Sequence, residues 1–389
     1  MGPGNDLLRS HEDRGATPVE LFFDLVFVFA VTQLSHALLE HLDPVGALRT
    51  ALLLLAVWWA WLYTSWVSSW FDPDRAPVRL LLLAVMLVSL VMSASIPDAY
   101  GSLGWTFAVA YVTIQVGRTA FMVAASRGRP ELRTNFVRVL LWFMMTGALW
   151  LAGAAATGHA RTALWAAAVV VEYIAPMTGF RLPGLGRSAP SVWAISGSHL
   201  AERCQLFIII ALGESILVTG ATAAGLAATP ATIAAFTVAF LGSAGLWWVY
   251  FHRTAEAGKE HISRLETPSL FALTAYDYFH VIMVAGIIVT AVGDELTLSH
   301  PSGHTDAATA ATVLGGPALF LLGVGLFQRA LTGRTPWPHL AGIAALALLA
   351  AAVPVLSPLA LGAASTAVIL AVAAATSLLD RHPTATPPR

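Results

Sequence analysis

Apolar stretches recur along nearly the whole chain, near 19–40, 45–70, 79–97, 103–126, 136–156, 162–179, 199–223, 230–252, 270–293, 308–328, 338–353 and 356–378. About 20 apolar residues cross a hydrocarbon core, so twelve such segments leave only short connections within 389 residues. No soluble catalytic domain fits. The stretches are continuous runs of Leu, Ala and Val rather than short strands of alternating polarity, which excludes a closed barrel. The predicted fold is an all-α polytopic transmembrane helix bundle of about 12 spans embedded in a lipid bilayer. Composition agrees, with 57% hydrophobic and 11% charged residues, far from soluble usage. A net charge of -1 provides no basic surface for nucleic acid. The single cysteine, Cys204, cannot form an internal disulfide.

Positive charge orients the segments, because Lys and Arg concentrate in cytoplasmic loops. Placing the N-terminus inside puts seventeen of the 21 basic residues on that side and leaves only Arg49 and Arg161 outside, with Arg118 and Arg203 within spans. Both termini are therefore expected in the cytoplasm. The polar residues 1–18, followed by a segment carrying Glu20 and Asp24, do not read as a cleaved signal peptide. The expected organisation is a cytoplasmic segment 1–18, a first membrane half 19–179 of six helices, a cytoplasmic linker 180–198, a second half 199–378 and a tail 379–389. Val57-Trp58-Trp59-Ala60-Trp61-Leu62-Tyr63 in segment two is echoed by Leu246-Trp247-Trp248-Val249-Tyr250-Phe251 in segment eight. Segments three and nine each end in an acidic turn expected on the outer side, Pro97-Asp98 and Gly293-Asp294-Glu295. Six helices of separation would make this a 6+6 parallel repeat; tryptophan pairs of an interfacial belt would look the same.

Ionisable groups on membrane helices cost about 2.5–3.5 kcal/mol each on insertion scales, so each must face protein or water. In segment one, Thr17-Pro18-Val19-Glu20 reads as a capping box, which would account for Glu20 without function. Asp24 lies about 6 Å deeper on the same face and must be partnered or carry a proton. Gln33 and His36 occupy another face. In segment seven, His199, Arg203 and Glu214 fall within about 60° of one another around the helix. Glu202 points elsewhere and could meet the helix of Asp24 or Arg118. Glu214, about 16 Å along the axis from Arg203, needs another partner or a proton. Asp277 and His280 in segment nine are three apart, suited either to a proton-relay pair or to the simple satisfaction of a buried histidine. Segments four and six add Gln115, Arg118 and Glu172. Six acids (Glu20, Asp24, Glu172, Glu202, Glu214, Asp277) face two arginines, so protons or a bound cation must make up the difference.

No P-loop, G-x-S-x-G, H-E-x-x-H or cysteine cluster is present, and no cofactor is expected. Asp72-Pro73-Asp74 reads as a turn, and His300, His304 and Asp306 as a polar loop rather than a metal site.

The stretch Val19-Glu20-Leu21-Phe22-Phe23-Asp24-Leu25-Val26-Phe27-Val28, with Gln33 and His36 beyond it, resembles the opening signature of the bacterial low temperature requirement A (LtrA) family. His199-x-x-Glu202-Arg203-x-x-Leu206-Phe207-x-Ile209-Ile210-x-Leu212-Gly213-Glu214 resembles that family's second signature. The resemblance covers residues 17 to 290. It implies a polytopic bacterial inner-membrane protein of a family named for growth at low temperature, and it directs attention to Glu20, Asp24, His199, Glu202, Arg203 and Glu214. Three functions remain open. The leading one is a secondary transporter or channel-like permease for a small solute, proton or cation, in which these carboxylates and Asp277-His280 bind or relay charge. An enzyme acting on a lipid or isoprenoid would use Asp24 or Glu214 as general acid and Trp58, Trp59, Trp61, Trp66 and Trp70 to stabilise a cation. A structural membrane protein required for low-temperature growth would use the charges only to staple helices; under any of the three readings a homo-oligomer is a candidate assembly.

Overall fold

The computed structural model describes Leu7 and residues 15–188, 197–252 and 270–379. Among them are twelve α-helices: α1 (Pro18–Glu40), α2 (Pro44–Trp70), α3 (Ala76–Ala94), α4 (Gly104–Ala125), α5 (Pro130–Ala155), α6 (Gly158–Ile174), α7 (Gly197–Ala224), α8 (Pro230–Phe251), α9 (Leu270–Ser299), α10 (Ala307–Thr332), α11 (Trp337–Leu349) and α12 (Pro358–Leu379). Eleven are long and apolar enough to cross a membrane once α11 is counted with the 3-10 turn Ala350–Val355 that follows it. The exception is α6, at 17 residues. Large apolar side chains remain on the surface, with Leu80, Leu87 and Leu217 65%, 66% and 67% exposed. That is how a chain solvated by lipid rather than water presents itself.

The helix boundaries follow from local chemistry. Proline, whose missing N–H is harmless in the first turn, opens α1, α2, α5, α8 and α12. Asp43 caps α2 by accepting from the Val45 and Gly46 amides, and Asp306 caps α10 by accepting from Ala308 and Thr309. Gly333, at φ 68°, supplies the left-handed residue that ends α10. The last two apolar segments form separate helices. Pro354 lies in the 3-10 turn and Pro358 opens α12, and neither can continue a regular helix.

The chain divides into two compact units. Among the described residues the first holds those up to 203 together with 270–273, the second 204–252 and 274–379, so α7 contributes its residues up to Arg203 to one and those from Cys204 to the other. In the first, α1 packs on α2 and α3, α4 packs on α3 and α5, and α6 closes against α5. Arg161 of α6 is buried, not solvated in a loop. Its guanidinium donates to the carbonyls of Gly153, Ala154 and Ala156 at the end of α5 and to those of Ala99 and Gly101. It thereby satisfies acceptors that a helix terminus leaves open.

In the second unit α8 packs on α12, and α10 on α11 and α12. The α9–α10 seam is built from small residues. A Cβ on Gly286 would strike the Phe320 amide and the Gly316 carbonyl, and one on Gly316 would strike the backbone of Thr290, so the backbones themselves are in contact. Pro317, inside α10, cannot donate to the carbonyl four residues earlier. That carbonyl, Val313, instead accepts the Ser365 hydroxyl of α12 at 2.9 Å. The tryptophan pairs that echo one another in sequence lie in different surroundings: Trp58 and Trp59 are 1% exposed, Trp247 and Trp248 46% and 45%.

Two outcomes follow for thermal unfolding of the purified protein in detergent. Gly286→Leu should destabilise by at least the roughly 1–3 kcal/mol typical of overpacking, because backbone rather than a flexible side chain must give way. Ser365→Ala should cost about 1–3 kcal/mol by leaving the Val313 carbonyl unsatisfied, whereas Ser377→Ala on the same helix, whose partner Trp248 is half-exposed, should cost less.

Candidate functional site

Four ionisable side chains meet in the first unit. Glu20 and Asp24 come from the opening turns of α1, His199 and Arg203 from the opening turns of α7, and their exposures are 1%, 0%, 2% and 1%. One turn of helix separates the members of each pair, so the two pairs can face each other as two rungs. On the inner rung the Arg203 guanidinium donates to Asp24 Oδ1 at 2.6 Å, and the Trp61 indole donates to the same oxygen at 2.8 Å. On the outer rung His199 Nε2 lies 2.9 Å from Glu20 Oε1, with Arg203 Nη1 3.8 Å from that oxygen. The rings of Phe23 and Trp61 lie 5.8 and 6.0 Å from the guanidinium carbon, adding cation–π attraction.

Glu20 fills both roles the sequence allowed. Its Oε2 accepts from the Thr17 amide and hydroxyl at 2.7 and 2.8 Å, holding the start of α1, while Oε1 faces His199 and Arg203. His199 Nδ1 lies 2.9 Å from the Ser69 hydroxyl, which also reaches the Ser65 carbonyl at 3.1 Å. Ser69 has one proton. If it goes to Ser65, Nδ1 must be the donor, and the ring is an imidazolium when Glu20 is ionised or the neutral Nδ1–H tautomer when Glu20 holds the proton; if the hydroxyl turns to Nδ1, the ring is neutral. Rotation of one hydroxyl therefore accompanies either gain or loss of a proton by the ring or its transfer between His199 and Glu20.

Among the described residues this cluster counts two carboxylates to one guanidinium. A proton on His199 or on a carboxyl oxygen would balance those four groups. Asp24 Oδ2 is enclosed and has no hydrogen-bond partner, and Arg203 Nε is also unspent. Polar atoms left open in a buried site are where a proton, a water or a polar solute would be held.

A second polar chain runs through the same unit. Arg118 donates to Gln115 Oε1, to the Ala60 carbonyl and to the Thr64 hydroxyl; Gln115 Nε2 donates to the Tyr111 oxygen; the Tyr111 hydroxyl donates to Glu172, which also accepts from the Trp150 indole at 3.1 Å. Arg118 and Glu172 are thus joined through neutral groups instead of touching. Glu202 accepts from the Ala16 amide at 3.1 Å, meeting the chain just before α1, whereas Arg118 is engaged elsewhere. His36 is exposed. Trp59 stacks on Tyr173 at 4.0 Å and Trp58 packs on Trp61 at 4.9 Å.

Glu214, Asp277 and His280 are buried in the second unit. The expected pairing of Asp277 with His280 is replaced by another: His280 Nε2 lies 2.9 Å from the Tyr250 hydroxyl, its ring stacks on Tyr276, and its Nδ1 has no partner. Adjacency on one helix did not decide the contact, because the imidazole turns toward α8. Asp294 corrects a second expectation. It lies not in an outer turn but inside α9, since Gly293 packs against Val313 and does not end the helix. Its enclosed Oδ2 has no partner, and it lines a cavity of about 20 Å³ with Thr290, Ser365 and Thr366, room for about one water. Asp306, considered in a polar loop, spends its carboxylate on the α10 cap.

Ser65, Ser69, Tyr111, Trp150 and Asp294 were not among the expected site residues, and Trp61 entered only among the tryptophans of the enzyme reading. Trp61, Ser65 and Ser69 recur every four residues along one face of α2, a polar stripe that pattern alone could have exposed.

Comparison with known proteins places the chain in a family. The profile described as Bacterial low temperature requirement A protein (LtrA) matches residues 15–374. A protein of Rhizobium meliloti (strain 1021), itself described as uncharacterized, is 37% identical over 355 residues, covering 91% of this chain and 87% of the relative. No solved structure matches.

Removing one member of a buried pair strands the other, at about 3–5 kcal/mol. Arg203→Gln should therefore lower the thermal stability of the detergent-solubilised protein by roughly that much. The double variant Arg203→Gln with Asp24→Asn should recover at least half of the loss; simple additivity would show that the pair is not coupled.

Proposed function

The chain belongs to the bacterial low temperature requirement A family, and on that premise we propose that this integral membrane protein is a secondary transporter or channel-like permease. Its working charge is a proton, or a cation replacing it, held by Glu20, Asp24, His199 and Arg203. The observation that carries the reading is the make-up of that cluster among the described residues: two carboxylates, one guanidinium and one imidazole, all nearly inaccessible, an imidazole being the side chain able to gain or lose a proton near neutral pH. Helix stapling alone would be served by a balanced pair, at less cost of burial. The His199–Ser69–Ser65 arrangement supports a proton that comes and goes, because both protonation states can be hydrogen-bonded without moving a helix. Asp24 Oδ2 provides the acceptor next to it.

The alternation of arginines favours a bacterial inner-membrane location with both termini in the cytoplasm. In that orientation the cluster, at the start of α1, lies near the cytoplasmic boundary. Against the isoprenoid-enzyme reading stands the use made of the α2 tryptophans. Trp61 is spent on Asp24 and Trp59 on Tyr173, so these rings face protein groups rather than forming the wall of a substrate chamber.

Proteoliposomes with a trapped pH-sensitive dye and an imposed potassium diffusion potential provide the test. The wild-type protein should acidify or alkalinise the lumen faster than protein-free vesicles, and Asp24→Asn and His199→Gln should each reduce that rate about tenfold or more while eluting as intact protein. A wild-type rate equal to that of empty vesicles, or variants indistinguishable from wild type, would overturn the proposal.

A further inference from the structure

At the end of α1 remote from Glu20, about 30 Å along the helix, a cavity of about 240 Å³ opens between the last turn of α1, the first turns of α2 and the turn that carries Asp98 and Tyr100. This distance matches the thickness of a hydrocarbon core, so the cavity lies at the opposite interface from the charge cluster. Arg49 projects into it. Its guanidinium carbon sits 4.8 Å from the centroid of the Tyr100 ring, yet Nε is enclosed without a hydrogen-bond partner and so is the Tyr100 hydroxyl. Arg49 forms no ion pair among the described residues.

The neighbouring carboxylates do not supply one. Asp98 Oδ2 accepts from the Ser102 amide and hydroxyl, and those bonds hold its carboxyl below the usual aspartate range. Asp43 is committed to the Val45 and Gly46 amides of the α2 cap. The wall itself is fixed: Arg161 donates to the carbonyls of Ala99 and Gly101 at 3.0 and 2.8 Å from behind. Burial pushes the Tyr100 hydroxyl up from its ordinary value, so it remains a donor. His41 stands at the rim and Thr50 lines the interior.

A preformed concavity with an unspent guanidinium, an unspent phenol and a threonine offers three donors, and the one carboxylate in its lining, Asp98, has its Oδ2 tied to Ser102. Guanidinium in such a setting is suited to phosphate, which accepts several donors at once, and basic pockets between membrane helices are a known way of holding lipid head groups. We propose that this cavity binds a phosphate group through Arg49, with Tyr100 as a second donor. The site is separate from the Glu20–Arg203 cluster and does not depend on its role. The phosphate could be that of a phospholipid head group or of a water-soluble molecule; the chemistry at Arg49 is the same.

The test uses the full-length protein in a detergent free of phosphate. Short-chain phosphatidylglycerol and inorganic phosphate are titrated separately, with the rise of the unfolding temperature as readout, since a ligand of the folded state stabilises by mass action. One of the two probes should stabilise the wild-type protein saturably. Arg49→Gln should weaken that probe about tenfold or more and Tyr100→Phe by a smaller factor, as expected for loss of a charged and a neutral donor. Stabilisation by phosphatidylglycerol alone identifies a head-group site, and stabilisation by inorganic phosphate identifies a soluble ligand. Tyr100→Phe keeps the ring under Arg49, so it reports on the ligand even if Arg49→Gln unfolds. The proposal is overturned if neither probe stabilises the wild-type protein, or if both variants, folded, bind as tightly as it does.

Discussion

The Arg203–Asp24 contact, 2.6 Å long and closed off from solvent, is the constraint around which the first unit is organised. An arginine on a membrane helix is tolerated only with partners. To give it two, α1 must enter at a register that stacks Glu20 over Asp24, and α2 must offer Trp61 to the oxygen that Arg203 also uses. Thr17 then ties the first turn of α1 to Glu20, so the capping of the helix and the charge network share one carboxylate. A local rule of helix initiation and a long-range ion pair thereby fix the same geometry, the kind of agreement between levels that specifies one structure.

The same unit shows a second solution to the burial of charge. Arg118 and Glu172 are linked through Gln115 and Tyr111, with every intervening group neutral. Their charges balance one for one. Among the described residues the cluster of Glu20, Asp24, His199 and Arg203 counts two carboxylates to one guanidinium, and this contrast within one fold is what motivates the proposal of a proton site there.

Much of this was legible in the sequence because charge in an apolar segment is conspicuous. Glu20, Asp24, His199 and Arg203 stood out by insertion cost alone, and the twelve apolar stretches correspond to the twelve helices among the described residues. What the sequence hid was the identity of neutral partners. Trp61, Ser65 and Ser69 carry no insertion penalty that would single them out from other residues of α2. The partner of His280 was hidden for a related reason: helix periodicity reports neighbours on one helix, and Tyr250 comes from another. Asp294 was misplaced because a glycine before an acidic pair resembles a helix end, whereas in a membrane helix glycine equally marks close packing. The tryptophan echo was real as a pattern but says nothing of burial, which differs completely between Trp58 and Trp247.

On the proposed reading, one exchangeable proton completes the buried cluster. Infrared difference spectroscopy of the protein in lipid, recorded across a pH step, detects a protonated carboxyl by its carbonyl band and an imidazolium by its ring modes. The account predicts a single pH-dependent signal of one of these kinds in the wild-type protein, altered or abolished in both Asp24→Asn and His199→Gln. A cluster spectrum that stays unchanged over the pH range in which the protein remains folded would contradict it.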